Sequence, residues 1–361
     1  MLMPRNTTLL SFPFRRIGLS LFGILACYTL TAQVGGISAY EFLNLPNSAT
    51  IAAMGGHHIA LADDDLSLAA RNPSLLNASM NRKLAISHAF HPAGISNSYL
   101  AYALHKEDMR MTFQAGLQYV NYGDFTRRDV SGQDIGNFSA NDYALTVGVG
   151  RQLHERWRLG VNLKFINSQL ADFNSFALAS DIGIHYQDTT GRFGLSIVAR
   201  NLGRQVSTYN DLREPLPFDL QIGINRELKY LPFRFSIIYR MLNRWDTLYD
   251  DPNQEEESIF IGFDQQSTER GAGAIWLDNF FRHFVFNGEL MVGKGRNLRL
   301  RFGYNHGMRR ELRLNDYRSL AGYSLGFALR VKRFQIAYGR TTYHIGGGIN
   351  QLGIDLSFGQ R

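Results

Sequence analysis

The residues whose types and spacing bear on chemistry are few: His57-His58, the acidic run Asp63-Asp64-Asp65, the pair His88 and His91, and Glu255-Glu256-Glu257. Imidazole and carboxylate are the ligands of divalent cations, so a metal site is the first chemistry to weigh. Adjacent histidines on extended backbone point to opposite sides. An acidic triplet without the further spaced ligands of a calcium loop reads as a solvated turn. His88, His91 and the glutamate run carry no better spacing, so neither a metal nor any other cofactor is expected. There is no His-Glu-x-x-His and no Ser-x-x-Lys, and the chain is read as a non-enzyme. Arginines interleave with aromatics, as at Arg299, Arg301 and Tyr304, but alternation puts the two kinds on opposite faces, so nucleic acid is not an expected partner.

The elements that must position these side chains are strands. From Lys83 onward the dominant period is two. Leu298, Leu300, Phe302 and Tyr304 share one face while Arg299, Arg301 and Gly303 share the other, and Phe218, Leu220, Ile222 and Ile224 oppose Asp219, Gln221, Gly223 and Asn225. The last segment sets Leu352, Ile354, Leu356 and Phe358 against Gly353, Asp355 and Ser357. One face is wholly apolar and the other is rich in glycine and charge. A soluble sandwich buries the apolar face; an outer-membrane barrel turns it to lipid and lines its lumen with the polar one. Segments of about 9 to 13 residues match tilted membrane strands, and aromatics such as Trp157, Tyr119, Tyr122, Tyr239, Tyr304, Tyr338 and Tyr343 stand near strand ends as an interfacial girdle requires. The spacing therefore predicts an all-β transmembrane antiparallel barrel of about 14 strands, an even number that closes. Arg299, Arg301, Asp219 and Asp355 are its lumen-facing charges. Asp124 to Asn137, Gln205 to Pro215 and Asn243 to Gln266 are its expected long loops, with a short amphipathic helix over Ala272 to Phe284.

Composition agrees. Glycine (35) and aromatics (12%) are high while charged residues (19%) are low, the balance of a chain with two differently solvated faces. Only six residues are lysine, so 32 of the 38 basic residues are arginine, which suits phosphate-bearing headgroups of lipid and lipopolysaccharide. Residues 1–32 read as a secretory signal peptide: Arg5, Arg15 and Arg16 precede the apolar stretch Ile17 to Leu30, and Thr31-Ala32 is the small-residue exit. Cleavage there would remove the single cysteine, Cys27, and take the formal net charge from +7 to +4. No later apolar run is long enough for a membrane helix.

Residues 33–82 differ from the barrel segment, 83–361. They mix turn residues with short apolar runs and show no period, and they read as a plug or hatch. Within them stand Tyr40-Glu41-Phe42-Leu43-Asn44-Leu45-Pro46, then Ser48-Ala49, Gly55-Gly56, Asp63-Asp64-Asp65-Leu66 and Asn72-Pro73-Ser74-Leu75-Leu76. This order resembles the start of the PorQ family, outer-membrane barrels of the bacterial type IX secretion system. Arg282-His283-Phe284-Val285-Phe286, Leu298-Arg299-Leu300-Arg301, Leu320-Ala321-Gly322-Tyr323-Ser324 and Ala337-Tyr338 continue it in order. The resemblance implies a FadL-like barrel in the outer membrane. It implies a role as anchor of a secreted surface subunit, PorZ-like, beside PorU-like and PorV-like components of the complex that processes cargo and attaches it to lipopolysaccharide. A hatch with an Asn-Pro element is similar also to FadL-type transporters, and the alternative expectation is a channel for hydrophobic small molecules.

Overall fold

The computed structural model describes residues 38–247, 272–312, 319–344 and 347–358. The expected signal peptide with Cys27, the glutamate run Glu255-Glu256-Glu257 and most of the expected loop to Gln266 lie outside the described residues.

Fourteen strands form one closed antiparallel barrel: β1 (Lys83–Phe90), β2 (Ser96–Lys106), β3 (Met111–Arg128), β4 (Asp134–His154), β5 (Trp157–Leu170), β6 (Phe173–Gln187), β7 (Phe193–Ser207), β8 (Asp219–Glu227), β9 (Phe233–Tyr239), β10 (Phe284–Val292), β11 (Leu298–Asn305), β12 (Tyr323–Val331), β13 (Phe334–His344) and β14 (Gly347–Ser357). Each strand pairs with its neighbours in sequence, and β1 closes on β14 from Lys83↔Ser357 to Phe90↔Asn350. Closure leaves no free sheet edge, the condition for crossing hydrocarbon.

Exposure is inverted relative to a soluble protein. On β11, Leu300 is 42% and Phe302 47% exposed, whereas Arg301 between them is 2% exposed. Ile86, Leu117, Leu163, Ile197, Leu325 and Leu352 repeat the pattern around the wall. Apolar side chains facing outward and polar ones inward is the arrangement of a lipid-embedded barrel. Connections at one end are short, such as residues 155–156 and 332–333, and those at the other include 208–218 and 240–283. By the rule that periplasmic turns are short, the long connections face outside the cell.

Two sequence expectations are corrected here. Most of the expected loop from Asp124 to Asn137 is strand, because β3 and β4 keep pairing beyond a bulge, Asp124↔Ser139 to Arg127↔Gly136, with Phe125 stacked on Phe138 at 5.2 Å. Tyr122 is not a girdle residue: its hydroxyl donates to Asp142 Oδ2 at 2.6 Å, because it shares the inward face of fully buried Val120. The expected amphipathic helix spans Ala272–Arg282. It lies at the long-loop end, with Trp276 stacked on Phe280 at 5.4 Å and Phe280 against Phe284 at 5.0 Å.

Candidate functional site

The described part of the hatch, Ser38 to Arg82, threads the lumen. It holds short 3₁₀ turns at Glu41–Asn44, Leu66–Ala70, Pro73–Leu75 and Ala78–Met80 and one helix, α1 (Ala49–Ala53), capped by Ser48, whose Oγ accepts from Ile51 N at 3.2 Å. Gly55 and Gly56, at φ +69° and +79°, reverse the chain after α1, a conformation glycine adopts without a Cβ clash. The upper end is tied to the wall by Ala39 N to Pro215 O at 3.0 Å and Tyr40 Oη to Ser175 Oγ at 2.5 Å. There Phe42 and Leu43 pack against Val120, Ala144, Ile166 and Leu216, with Leu45 alongside.

Irregular backbone at membrane depth must find its partners inside the protein. Amide side chains of the lumen supply them. Gln118 donates to Phe42 O, Asn97 to Pro46 O at 2.9 Å, Asn305 to Gly55 O at 3.2 Å, Asn287 to His57 O at 3.3 Å, and both Gln114 (3.1 Å) and Asn162 (3.2 Å) to Ala69 O. Asn44 lies near the top of the hatch, where its carbonyl accepts from Arg71 at 3.0 Å.

Two flat beds of glycine let the hatch backbone lie on the wall. Gly150, Gly160 and Gly183 stand side by side on β4, β5 and β6. A Cβ at Gly160 would strike the Pro73 carbonyl and Ser74 N, and one at Gly183 would strike the Asn72 side chain. Asn72 itself is fully buried. Its Oδ1 accepts from Ser74 N at 3.0 Å and Ser74 Oγ at 2.6 Å, and its Nδ2 donates to Ile59 O at 2.7 Å. The second bed, Gly303, Gly326 and Gly339, receives Gly55, Ala53 and Ala49.

At the short-turn end an ionic latch closes the hatch. Asp63 Oδ2 meets Arg299 Nη1 at 2.5 Å and Arg234 Nη2 at 3.8 Å; Asp64 meets Lys83 at 2.9 Å and Arg330 at 2.6 Å. Asp65 turns the other way and accepts from Ser67 N (3.0 Å) and Thr50 Oγ1 (2.6 Å), and Arg301 in turn donates to Thr50 Oγ1 at 2.8 Å. The reading of Asp63-Asp64-Asp65 as a solvated turn is therefore overturned: the arginines that hold Asp63 and Asp64 come from distant strands, beyond the reach of local spacing, while Asp65 is held by its own segment. Burial opposes ionisation of Asp63 and Asp64. For Asp63 the guanidinium groups of Arg299 and Arg234 outweigh it, and for Asp64 the Lys83 and Arg330 cations do, so both carboxyls are held below their ordinary range.

The four lumen charges named from sequence all face inward, in different settings. Arg299 belongs to the latch. Arg301 binds Glu289 Oε1 at 2.9 Å, and Asp219 lies 3.4 Å from Arg240. Among the described residues Asp355 accepts from Gln335 Nε2, at 3.3 Å. His57 and His58 are buried in irregular backbone, not on a strand; His58 Nδ1 accepts from Ala60 N at 3.3 Å, while neither ring nitrogen of His57 has a partner. Among the described residues no group of three or more His, Cys, Asp or Glu is placed to hold a metal ion. Two strings that match catalytic patterns escaped the sequence reading. Gly322-Tyr323-Ser324-Leu325-Gly326 spells Gly-x-Ser-x-Gly, but Ser324 is the second residue of strand β12 with its hydroxyl unpartnered among the described residues, not on a strand-to-helix elbow beside a base. Gly288 to Lys294 has phosphate-loop spacing but lacks the following Ser or Thr, and most of it is strand β10.

No protein-family model and no curated protein sequence matches the chain. Among solved structures it is similar to the CymD monoaromatic hydrocarbon channel, with a TM-score of 0.50 and 13% identity, covering 89% of this chain and 100% of that one. It is also similar to the Pseudomonas putida toluene transporter TodX (TM-score 0.47, 10% identity, 86% and 96% covered) and to a Pseudomonas aeruginosa FadL homologue (TM-score 0.48, 11% identity, 86% and 98% covered). The likeness to CymD is one of fold. The chain is a closed, 14-stranded antiparallel β-barrel whose outward apolar face is that of an outer-membrane protein. The narrower resemblance to PorQ rests on the sequence motifs.

Proposed function

We propose that the protein is a non-enzymatic surface anchor: a plugged outer-membrane barrel of the type IX secretion system that holds a secreted, PorZ-like subunit of the cargo-attachment complex, beside PorU-like and PorV-like components. The observation that supports this reading is the locked lumen. A hatch tied at its upper end to Ser175 and Pro215, bedded on six wall glycines and latched below by four cations serves a rigid support better than a moving gate. The long-loop end presents an apolar helix face, with Trp276 52% and Leu277 50% exposed. Extraction from native outer membranes in mild detergent, with identification of what stays bound, tests the proposal. Recovery with a lipopolysaccharide-recognising subunit is the expected result; full surface retention of that subunit after deletion of the gene overturns it.

The second reading is a FadL-like channel for hydrophobic small molecules. Comparison with solved structures favours it more directly than the anchor, through the fold shared with CymD, a monoaromatic hydrocarbon channel. It requires ligand-dependent uptake by proteoliposomes carrying the purified barrel. Equal uptake by empty vesicles removes it.

A further inference from the structure

We propose that the lumen holds a buried oxyanion, bound by Arg71 of the hatch, Arg200 of β7 and Arg240 just beyond β9, with His57 beside them. The inference is independent of whether the barrel anchors a partner or conducts a solute.

Arg71 is 3% exposed and Arg200 1%. A guanidinium carries five N–H donors, and burying its charge without an anion or a full set of acceptors is strongly unfavourable. Among the described residues Arg200 has one acceptor, Leu43 O, at 3.2 Å from Nη2, and its Nε and Nη1 have none. Arg71 reaches Asn44 O (3.0 Å), Leu45 O and Asn47 Oδ1 (3.4 Å), all of them uncharged, and leaves Nη1 without a partner. Arg240 touches Asp219 at 3.4 Å through Nη2, with Nε unpartnered. Arg200 is paired with Asp219 across the β7–β8 register, Asp219 in turn meets Arg240, and Arg200 and Arg71 hold the successive carbonyls of Leu43, Asn44 and Leu45, so the three guanidinium groups share one end of the lumen, where they also act electrostatically on His57. These are like charges gathered from three separate elements.

The carboxylates nearby do not balance them. Asp219 also accepts from Gln221 Nε2 at 2.6 Å and Met241 N at 2.8 Å. Asp181 is taken by Lys164 and by Asn201 N, each at 2.8 Å. The unpartnered donors of Arg71, Arg200, Arg240 and His57 are what a carboxylate or phosphate group accepts, and guanidinium is the side chain best matched to such oxygens. Arg71 and Arg200 also grip the carbonyls of Leu43, Asn44 and Leu45. An occupant would therefore fasten the upper hatch to the wall between β7 and β9.

The test uses the full barrel in neutral detergent, with inorganic phosphate and acetate as probes at constant ionic strength set by sodium chloride. A saturable rise in Tm with phosphate is expected, because a ligand that binds only the folded state stabilises it. Arg200→Gln is expected to weaken phosphate binding at least about tenfold, as loss of a charge-assisted bond does, while the variant keeps the heat-modifiable gel migration of a folded barrel. An equal effect of acetate assigns the site to any oxygen anion, and an effect of phosphate alone assigns it to a phosphoryl group. Stabilisation no greater than that of matched chloride, or an Arg200→Gln protein that keeps the full response, overturns the proposal. Should Arg200→Gln not fold, equilibrium dialysis of the parent with labelled phosphate decides: saturable binding of about one ion per chain is expected, and no bound phosphate overturns it.

Discussion

Replacing Asp63 by asparagine removes the carboxylate that Arg299 meets at 2.5 Å and Arg234 at 3.8 Å, while the three side chains are only 12–13% exposed. Stripping one partner from a buried pair costs about 3–5 kcal/mol. Here the loss is smaller. Arg299 keeps Asp64 at 3.9 Å, Arg234 keeps Glu289, and the asparagine oxygen still accepts one bond, so about 2–3 kcal/mol is expected. The loss falls on the hatch more than on the wall, whose ladder is untouched. At a factor of ten per 1.4 kcal/mol, hatch opening becomes about 30- to 150-fold more frequent. A thiol introduced by Ala69→Cys, at a position with 0% exposure, reports this directly, since the cleaved chain would carry no other cysteine. With reclosing faster than labelling, the modification rate follows the open fraction. An Asp63→Asn rate within about threefold of the parent, roughly 0.65 kcal/mol on the same scale, refutes the latch as the hatch's restraint.

The same latch has a pH limit. Both carboxyls are held below their ordinary range, so the stability they contribute is complete above the unfolded carboxyl range near pH 4 and is lost as pH falls through the lower folded values. Labelling at the Ala69→Cys thiol, divided at each pH by the rate for the unfolded chain to remove the thiolate dependence of the reaction, should stay flat down to about pH 4 and rise below it. Gly160→Leu drives a side chain into the Pro73 carbonyl and should unseat the hatch, read as a stability loss of about 3 kcal/mol or as failure to fold on heat-modifiability gels. Asn72→Ala strands Ile59 O and Ser74 N and should cost about 2–3 kcal/mol in urea unfolding, with Asn72→Asp recovering the part owed to Ser74. If the helix Ala272–Arg282 is the docking face, Trp276→Ala should release the surface partner while leaving barrel stability within about 0.5 kcal/mol.

The wall was legible because its physics is local. Alternation at Leu298, Arg299, Leu300 and Arg301 needs only neighbouring residues to assign faces, and the wall begins at Lys83 in structure as in sequence. The hatch was not, because its order is borrowed from the wall. Asp63 and Arg299 are 236 residues apart, and Thr341 supplies the donor to Ala52 O across 289. The glycine rows were visible only as small residues on the polar face, since nothing in one strand says that Gly150, Gly160 and Gly183 fall in register. Tyr122 misled for the related reason that nearness to a strand end does not reveal which side of the wall a ring occupies.

The span of the hatch contacts bears on biogenesis. Pro46 O accepts from Asn97 on the second strand and from Gln351 on the fourteenth, so the segment translated first waits for the segment translated last. A nascent chain halted before β14 would leave the Pro46 carbonyl without its Gln351 donor and the first strand without its closing partner together. The plug is thus a completeness check on its own synthesis, satisfied only when the final strand arrives.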